Sequence, residues 1–199
     1  CFKGITTYSG VTAHAYLRWL QTQGEQPDHD IAFGADHPGW LFQQRALHNR
    51  RAPGNTCLSA LQAMNSLGEP ARNDSKGCGG VMRVAPVGLF AWRLRQEVSP
   101  QDAFRLATEL AALTHGHPTG ALTGGVLAVL ILALTDGVLL PEALEASKTI
   151  LSKENAHEET LRAIEMAEEL AVCDLPHEVA IARLGQGWIA EEALSISIY

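Results

Sequence analysis

The run Gly120-Ala121-Leu122-Thr123-Gly124-Gly125-Val126-Leu127-Ala128-Val129-Leu130-Ile131-Leu132-Ala133-Leu134 constrains this chain more than any other stretch. It carries no charge, so a helix built from it is apolar all round and has no face to offer water. At about 15 residues it falls short of the roughly 20 needed to cross a bilayer. His117-Pro118 bounds it on one side and Thr135-Asp136-Gly137 on the other. The run is expected to form a helix at the centre of a soluble fold with no membrane partner. Its Ala and Gly residues let neighbouring helices come close.

A central helix needs others to enclose it, and the chain is rich in helix signals. Val11–Gln21 carries Tyr16, Leu17, Trp19 and Leu20 and stops at Gly24. Asn55–Met64 follows Pro53-Gly54, with Asn55 or Thr56 as its cap. Val81–Phe90 is apolar and reads as helical. Ser99-Pro100-Gln101-Asp102 opens a helix to about Leu113, with Ser99 as N-cap, Pro in the first turn and Asp102 at the positive end. Phe104, Leu106, Ala107, Leu110 and Ala111 form its buried face. Pro141–Leu151 is a further helix. Asn155 with Glu158 reads as a capping-box variant opening a helix to Val172. Asp174 caps a helix that ends at Gly185, and a last one starts near Ile189. Asp28–Asn49 is polar and irregular, with Trp40, Leu41 and Phe42 as anchors to the core. There is no sustained alternating pattern for strands, no repeat and no low-complexity segment. The expected fold class is all-α, a compact orthogonal multi-helix bundle, with residues 1–199 as a single domain.

Composition narrows the function classes. The 199 residues are 46% hydrophobic and 19% charged, ordinary for a globular domain, and the net charge of -7 argues against a dedicated nucleic-acid binder. The one adjacent basic pair, Arg50-Arg51, reads as solvated surface. Cys1, Cys57, Cys78 and Cys173 show no CxxC or metal-finger spacing, which fits free thiols in a reducing cytoplasm. No signal peptide is visible. The chain begins with Cys1 and ends inside an amphipathic pattern, so a piece of a longer polypeptide is expected.

Chemistry concentrates at Asn73-Asp74-Ser75-Lys76-Gly77-Cys78-Gly79-Gly80-Val81-Met82-Arg83. A glycine-rich turn before a helix can gather backbone N–H groups around a phosphate. It can equally be a tight turn before a buried helix. No Gly-Lys-Ser/Thr follows, so it is not a Walker A loop. His115 and His117, in Leu113-Thr114-His115-Gly116-His117-Pro118, read as hydrogen-bonded helix-end histidines or as a ligand-contacting pair; no third residue completes a zinc set. Cys78 as nucleophile with His115 as base, or Ser75 with His115, lacks an acid partner. Asp28-His29-Asp30, with Asp36 and His37, reads as exposed loop rather than a metal site. Glu158-Glu159, Glu168-Glu169 and Glu191-Glu192 each diverge by about 100° around a helix and read as solvated faces.

Four segments together resemble the ADP-ribosylglycohydrolase family. They are Arg51-Ala52-Pro53-Gly54-Asn55-Thr56, Ser75-Lys76-Gly77-Cys78-Gly79-Gly80-Val81-Met82-Arg83-Val84-Ala85-Pro86, Thr114-His115-Gly116-His117-Pro118, and the alanine-glycine-rich helix that follows. Gly187-Trp188-Ile189-Ala190-Glu191-Glu192-Ala193-Leu194 also resembles that family's penultimate region. The resemblance implies an all-α hydrolase that cleaves the link between ADP-ribose and a modified acceptor. It implies substrate binding by Ser75, Lys76, Gly77, Cys78, Gly79 and His115, with Met82 and Arg83 in support. Its partners would be ADP-ribose or an ADP-ribosylated protein, acting as a cytoplasmic monomer.

The resemblance also implies two divalent metals, magnesium or manganese, held by an Asp-Asp pair near the start and a Gly-Asp-x-Asp motif near the end. Neither motif occurs here, so no metal ligand and no catalytic residue is assigned. The chain is then expected to be an internal portion of a larger domain, inactive by itself. Apolar faces such as that of Ile189–Tyr199 should lie bare. A non-catalytic ADP-ribose or nucleotide binder, or a partner-blocking protein, on the same scaffold is the alternative.

Overall fold

The structure, a computed structural model, describes residues 6–31 and 39–199. Among them are ten helices: α1 (Tyr8–Thr22), α2 (Gly39–Phe42), α3 (Asn55–Gln62), α4 (Ala85–Arg93), α5 (Pro100–Ala112), α6 (Pro118–Thr135), α7 (Leu140–Leu151), α8 (Glu158–Ala171), α9 (His177–Leu184) and α10 (Ala190–Ile198). Short 3-10 turns form at Arg45–Leu47 and Val81–Arg83. The described residues contain no strand, only an isolated antiparallel bridge between Gly77 and Ile189. The all-α class follows from this architecture.

The apolar run lies within α6, and α4, α5, α7, α8 and α10 enclose it. Leu122, Val126, Val129 and Leu130 share one core with Phe104 of α5, Leu144 and Leu151 of α7, Ile164 of α8 and Leu194 of α10. Ala128 packs with Val84, Val87, Ala107 and Ala111 in a second cluster. A third joins Leu17 and Leu20 of α1 to Leu58 and Leu61 of α3. Burying one such side chain is worth about 1.5–3 kcal/mol. A capping side chain is worth about 1 kcal/mol. Burial therefore decides which helices pair, and caps only set where they begin. Close approach matters most at Gly125: a Cβ there would stand 2.5 Å from Thr108 Oγ1 and 2.9 Å from the Phe104 ring.

Helix ends divide into those the local sequence dictates and those it does not. Ser99 and Asp102 form a reciprocal capping box at α5, as expected. The other three expected caps do not form. Gly54 stands at the N-cap of α3, so Asn55 is already helical, and Thr56 receives a hydrogen bond from Ser75 instead. At α8 the chain passes through Ala156 at φ 56°, so the helix begins only at Glu158 and Asn155 is too early to cap it. At α9 Pro176 holds the N-cap position, and the residue before a proline avoids helical geometry, which leaves Asp174 outside. The apolar stretch after the glycine loop also differs from expectation: it starts as a 3-10 turn, and α4 begins only at Ala85.

Two expectations about exposure are reversed. Trp40 and Leu41 do not anchor their loop; they are 72% and 61% exposed, and α2 buries no residue. The face of α10, expected bare, is covered: Ala190, Leu194 and Ile198 are buried, with α8 and α6 as packing partners. We predict that Gly125→Val lowers stability by about 2–3 kcal/mol through overpacking. Ser99→Ala should lose about 1 kcal/mol. Urea unfolding of each variant against the parent chain measures both.

Candidate functional site

The glycine-rich loop is held in place by one side chain. Asn73 Nδ2 donates to the Thr114 carbonyl at 3.0 Å, while its Oδ1 accepts from the N–H groups of Ser75 (3.1 Å) and Gly116 (2.9 Å). The Ser75 carbonyl accepts from the His117 N–H at 3.3 Å. On the far edge, the Cys78 N–H donates to the Trp188 carbonyl at 3.0 Å, and the Ala190 N–H to the Lys76 carbonyl at 2.8 Å. Three stretches far apart in the chain, 73–83, 114–120 and 186–190, therefore meet at one place.

His115 lies beneath this junction and is 2% exposed. A Cβ on Gly79 would stand 2.9 Å from its Cε1, so glycine there is what lets the loop rest on the ring. The Arg83 guanidinium donates to Thr114 Oγ1 at 2.6 Å and to the carbonyls of Leu110 (3.0 Å) and Ala111 (3.2 Å). These are last-turn carbonyls of α5, and that of Ala111 also accepts from the backbone N–H groups of Thr114 (3.3 Å) and His115 (3.1 Å). Tyr16 covers the guanidinium at 4.9 Å, and Cys57 Sγ accepts from it at 3.6 Å. Thr114 Oγ1 also shares a hydrogen bond with His115 Nδ1 at 2.8 Å. The other ring nitrogen, Nε2, is the one nearest Gly77. Burial, and then the Arg83 charge, push the His115 pKa from 6.5 down to about 4. The ring is neutral at pH 7.

The two histidines thus part company. His117 is the N-cap of α6, its Nδ1 accepting from the Thr119 N–H at 3.1 Å, while His115 supports the loop. Neither proposed nucleophile is paired with His115: Ser75 Oγ donates to Thr56 Oγ1 at 3.3 Å, and no Cys78–His115 hydrogen bond forms. The N–H groups of Ser75, Gly77 and Cys78 are taken by Asn73, Ser75 Oγ and Trp188. The Lys76 ammonium leaves the loop for Glu159 of α8, at 2.6 Å, and Glu191 of α10. These partners raise the Lys76 pKa, and Lys76 in turn lowers that of Glu159, with Thr119 assisting.

The solvated-face reading of the glutamate pairs therefore needs correction. Adjacent carboxylates diverge around a helix: Glu158 and Glu169 stay exposed, while Glu159, Glu168, Glu191 and Glu192 each meet a partner. Glu191 is 8% exposed, and Glu192 accepts from the N–H groups of Gln186 (3.1 Å) and Gly187 (3.0 Å). Glu168 pairs with Lys148 at 2.8 Å. Asp28, His29 and Asp30 are exposed; Asp36 and His37 lie outside the described residues. Among the described residues, no three of His, Cys, Asp and Glu come together as a metal would need.

Sequence reasoning missed Asn73 as the anchor of the loop. Besides the Ser75 N–H two residues on, its partners lie 41 and 43 residues away, and that separation hides the anchoring role from the local sequence. The structure also sets the indole of Trp188 at the loop edge, 75% exposed.

A pH dependence follows from His115. Its folded pKa lies below the unfolded value, so the unfolded chain binds the proton more tightly between pH 6.5 and about 4. Stability should fall as pH drops through that window, by up to about 3 kcal/mol from this residue. His115→Gln should flatten the decline, read as the difference in urea midpoints between the two proteins.

A family model described as ADP-ribosylglycohydrolase matches residues 3–199. No curated protein and no solved structure matches the chain. The family match spans all three stretches that meet over His115. The chain belongs to the ADP-ribosylglycohydrolase family.

Proposed function

We propose that this chain is a glycosidase-type hydrolase that acts on the link between ADP-ribose and a modified acceptor. The loop Ser75-Lys76-Gly77-Cys78-Gly79 would take the diphosphate and its neighbouring ribose, through groups other than the N–H of Ser75, Gly77 and Cys78, which the fold already engages. The observation that carries this is the convergence of the loop, the Thr114-His115 segment and the Gly187–Ile189 turn over one buried, neutral imidazole. A neutral ring under the loop adds no charge of its own. The ring packs against the loop from below, and the N-terminal end of α6 adds a partial positive charge suited to an anion. Lys76 acts as a strut, joining the loop to α8 and α10.

The family resemblance implies divalent metals, whose chemistry is to polarise ribose hydroxyls and activate water. Hard cations need several oxygens held rigidly. The carboxylates nearest the loop, Glu159 and Glu191, are both engaged by Lys76. The described residues therefore do not fit a metal pair, and no step is drawn through one. That same engagement favours a second reading, in which the chain binds ADP-ribose without turning it over.

Calorimetric titration of ADP-ribose into the chain, beside an assay of ADP-ribose release from a modified protein in magnesium, separates the two. Both readings predict saturable binding that Gly79→Val weakens at least tenfold with helicity unchanged. Release supports the hydrolase, and binding without release supports the binder. No binding by a folded chain would exclude both.

A further inference from the structure

We propose a second ligand site, a groove on the outer face of α1 that takes a planar aromatic anion. Helix α1 has two faces. Ala13, Leu17 and Leu20 turn into the core, while Ala15, Arg18, Trp19 and Thr22 recur at helical spacing on the opposite side. The outer face is not simply wet surface. Residues from α2 and the segment behind it rise beside it, and together they bound a cavity of about 500 Å³. Small-molecule sites span roughly 300–1,000 Å³.

The chemistry of the walls is specific. Trp19, Trp40 and Phe42 give flat apolar faces, Leu47 adds aliphatic surface, and Trp40 is 72% exposed. Two guanidinium groups, those of Arg18 and Arg51, line the same cavity. No Asp or Glu lines it among the described residues, although the chain carries a net charge of -7. Arg18 is half-buried and hydrogen-bonded to His14 Nδ1. Burial, and then Arg18 itself, lower the His14 pKa, and a histidine brings no negative charge to set against the guanidinium. Arg18 Nη2 would be 3.9 Å from a Cβ on Gly39, so no side chain from α2 shields it there.

Aromatic walls stack a flat ring. An arginine fork binds carboxylate or phosphate oxygens in pairs, and gains strength where water is partly excluded. The occupant that satisfies both is a flat ring bearing a carboxylate or phosphate. None of the lining residues belongs to 73–83, 114–120 or 186–190, so this site is separate from the glycine loop and does not depend on the proposed hydrolase function.

Titration of 1-naphthoate into the 199-residue chain, followed by quenching of tryptophan emission, tests the proposal, with the neutral 1-naphthamide beside it. We expect saturable quenching by naphthoate and at least tenfold weaker binding of the amide. Arg51→Met should weaken naphthoate tenfold or more, and Trp40→Ala at least as much; both positions are exposed, and circular dichroism checks the fold. Gly79→Val, which blocks the loop, should leave naphthoate binding unchanged. In that variant, displacement of naphthoate by AMP identifies phosphate as an accepted anion, and displacement by benzoate identifies carboxylate. Equal binding of acid and amide, an unaltered Arg51→Met, displacement by neither anion, or no saturable quenching overturns the site.

Discussion

A helix without a polar face has to be enclosed, and the enclosure of α6 organises the rest of the molecule. Five helices pack around it. Because it is buried along most of its length, its first turn has only one place to be. That turn carries Pro118, Thr119 and Gly120, directly after His115 and His117. The Ser75 carbonyl reaches the His117 N–H at this end, and Thr119 Oγ1 donates to Glu159 of α8. Core packing thus delivers the end of α6 to the glycine loop.

Polar groups drawn inside with that turn need partners, because a buried donor or acceptor left unpaired costs about 1–3 kcal/mol. Arg83 meets much of this need. It donates to last-turn carbonyls of α5 and to the Thr114 hydroxyl, which in turn shares a hydrogen bond with His115 Nδ1. Asn73 does the same for the loop backbone. The Arg83 Nε remains without a partner, which marks the network as a compromise between packing and hydrogen bonding.

Charge is apportioned between two regions. Around the glycine loop, Lys76 meets two glutamates and ties the loop to α8 and α10, with Glu191 Oε2 left buried and unpaired among the described residues. On the outer face of α1, two arginines meet aromatic walls and, among the described residues, no acid. One region uses its ions to hold backbone in place; the other leaves its cations facing an open cavity. Both arise from one α1–α3–α5 packing, since Tyr16 of α1 covers Arg83 while Trp19 faces outward.

The class of the fold was legible in the sequence because it rests on local periodicity: the apolar run of α6, the capping box at Ser99 and the glycine stop at Gly185 each announce themselves within a few residues. The family was legible for a related reason, since its motifs are short and contiguous. Caps at α3, α8 and α9 were not, because a cap depends on where the preceding backbone turns, as at Ala156. The partners of Asn73, Lys76 and Glu191 were not either. Lys76 reads as a phosphate-facing cation from its neighbours, yet its carboxylates come from 83 and 115 residues away. By itself the sequence determined which segments are helical, which one must be central, and which loop chemistry the chain carries, since these depend on side-chain type and spacing along one strand of backbone. Only the tertiary structure decided which histidine supports the loop, where the lysine points, and that a groove opens behind α1. Those outcomes depend on which distant groups packing brings within about 3 Å, the distance at which hydrogen bonds and ion pairs form.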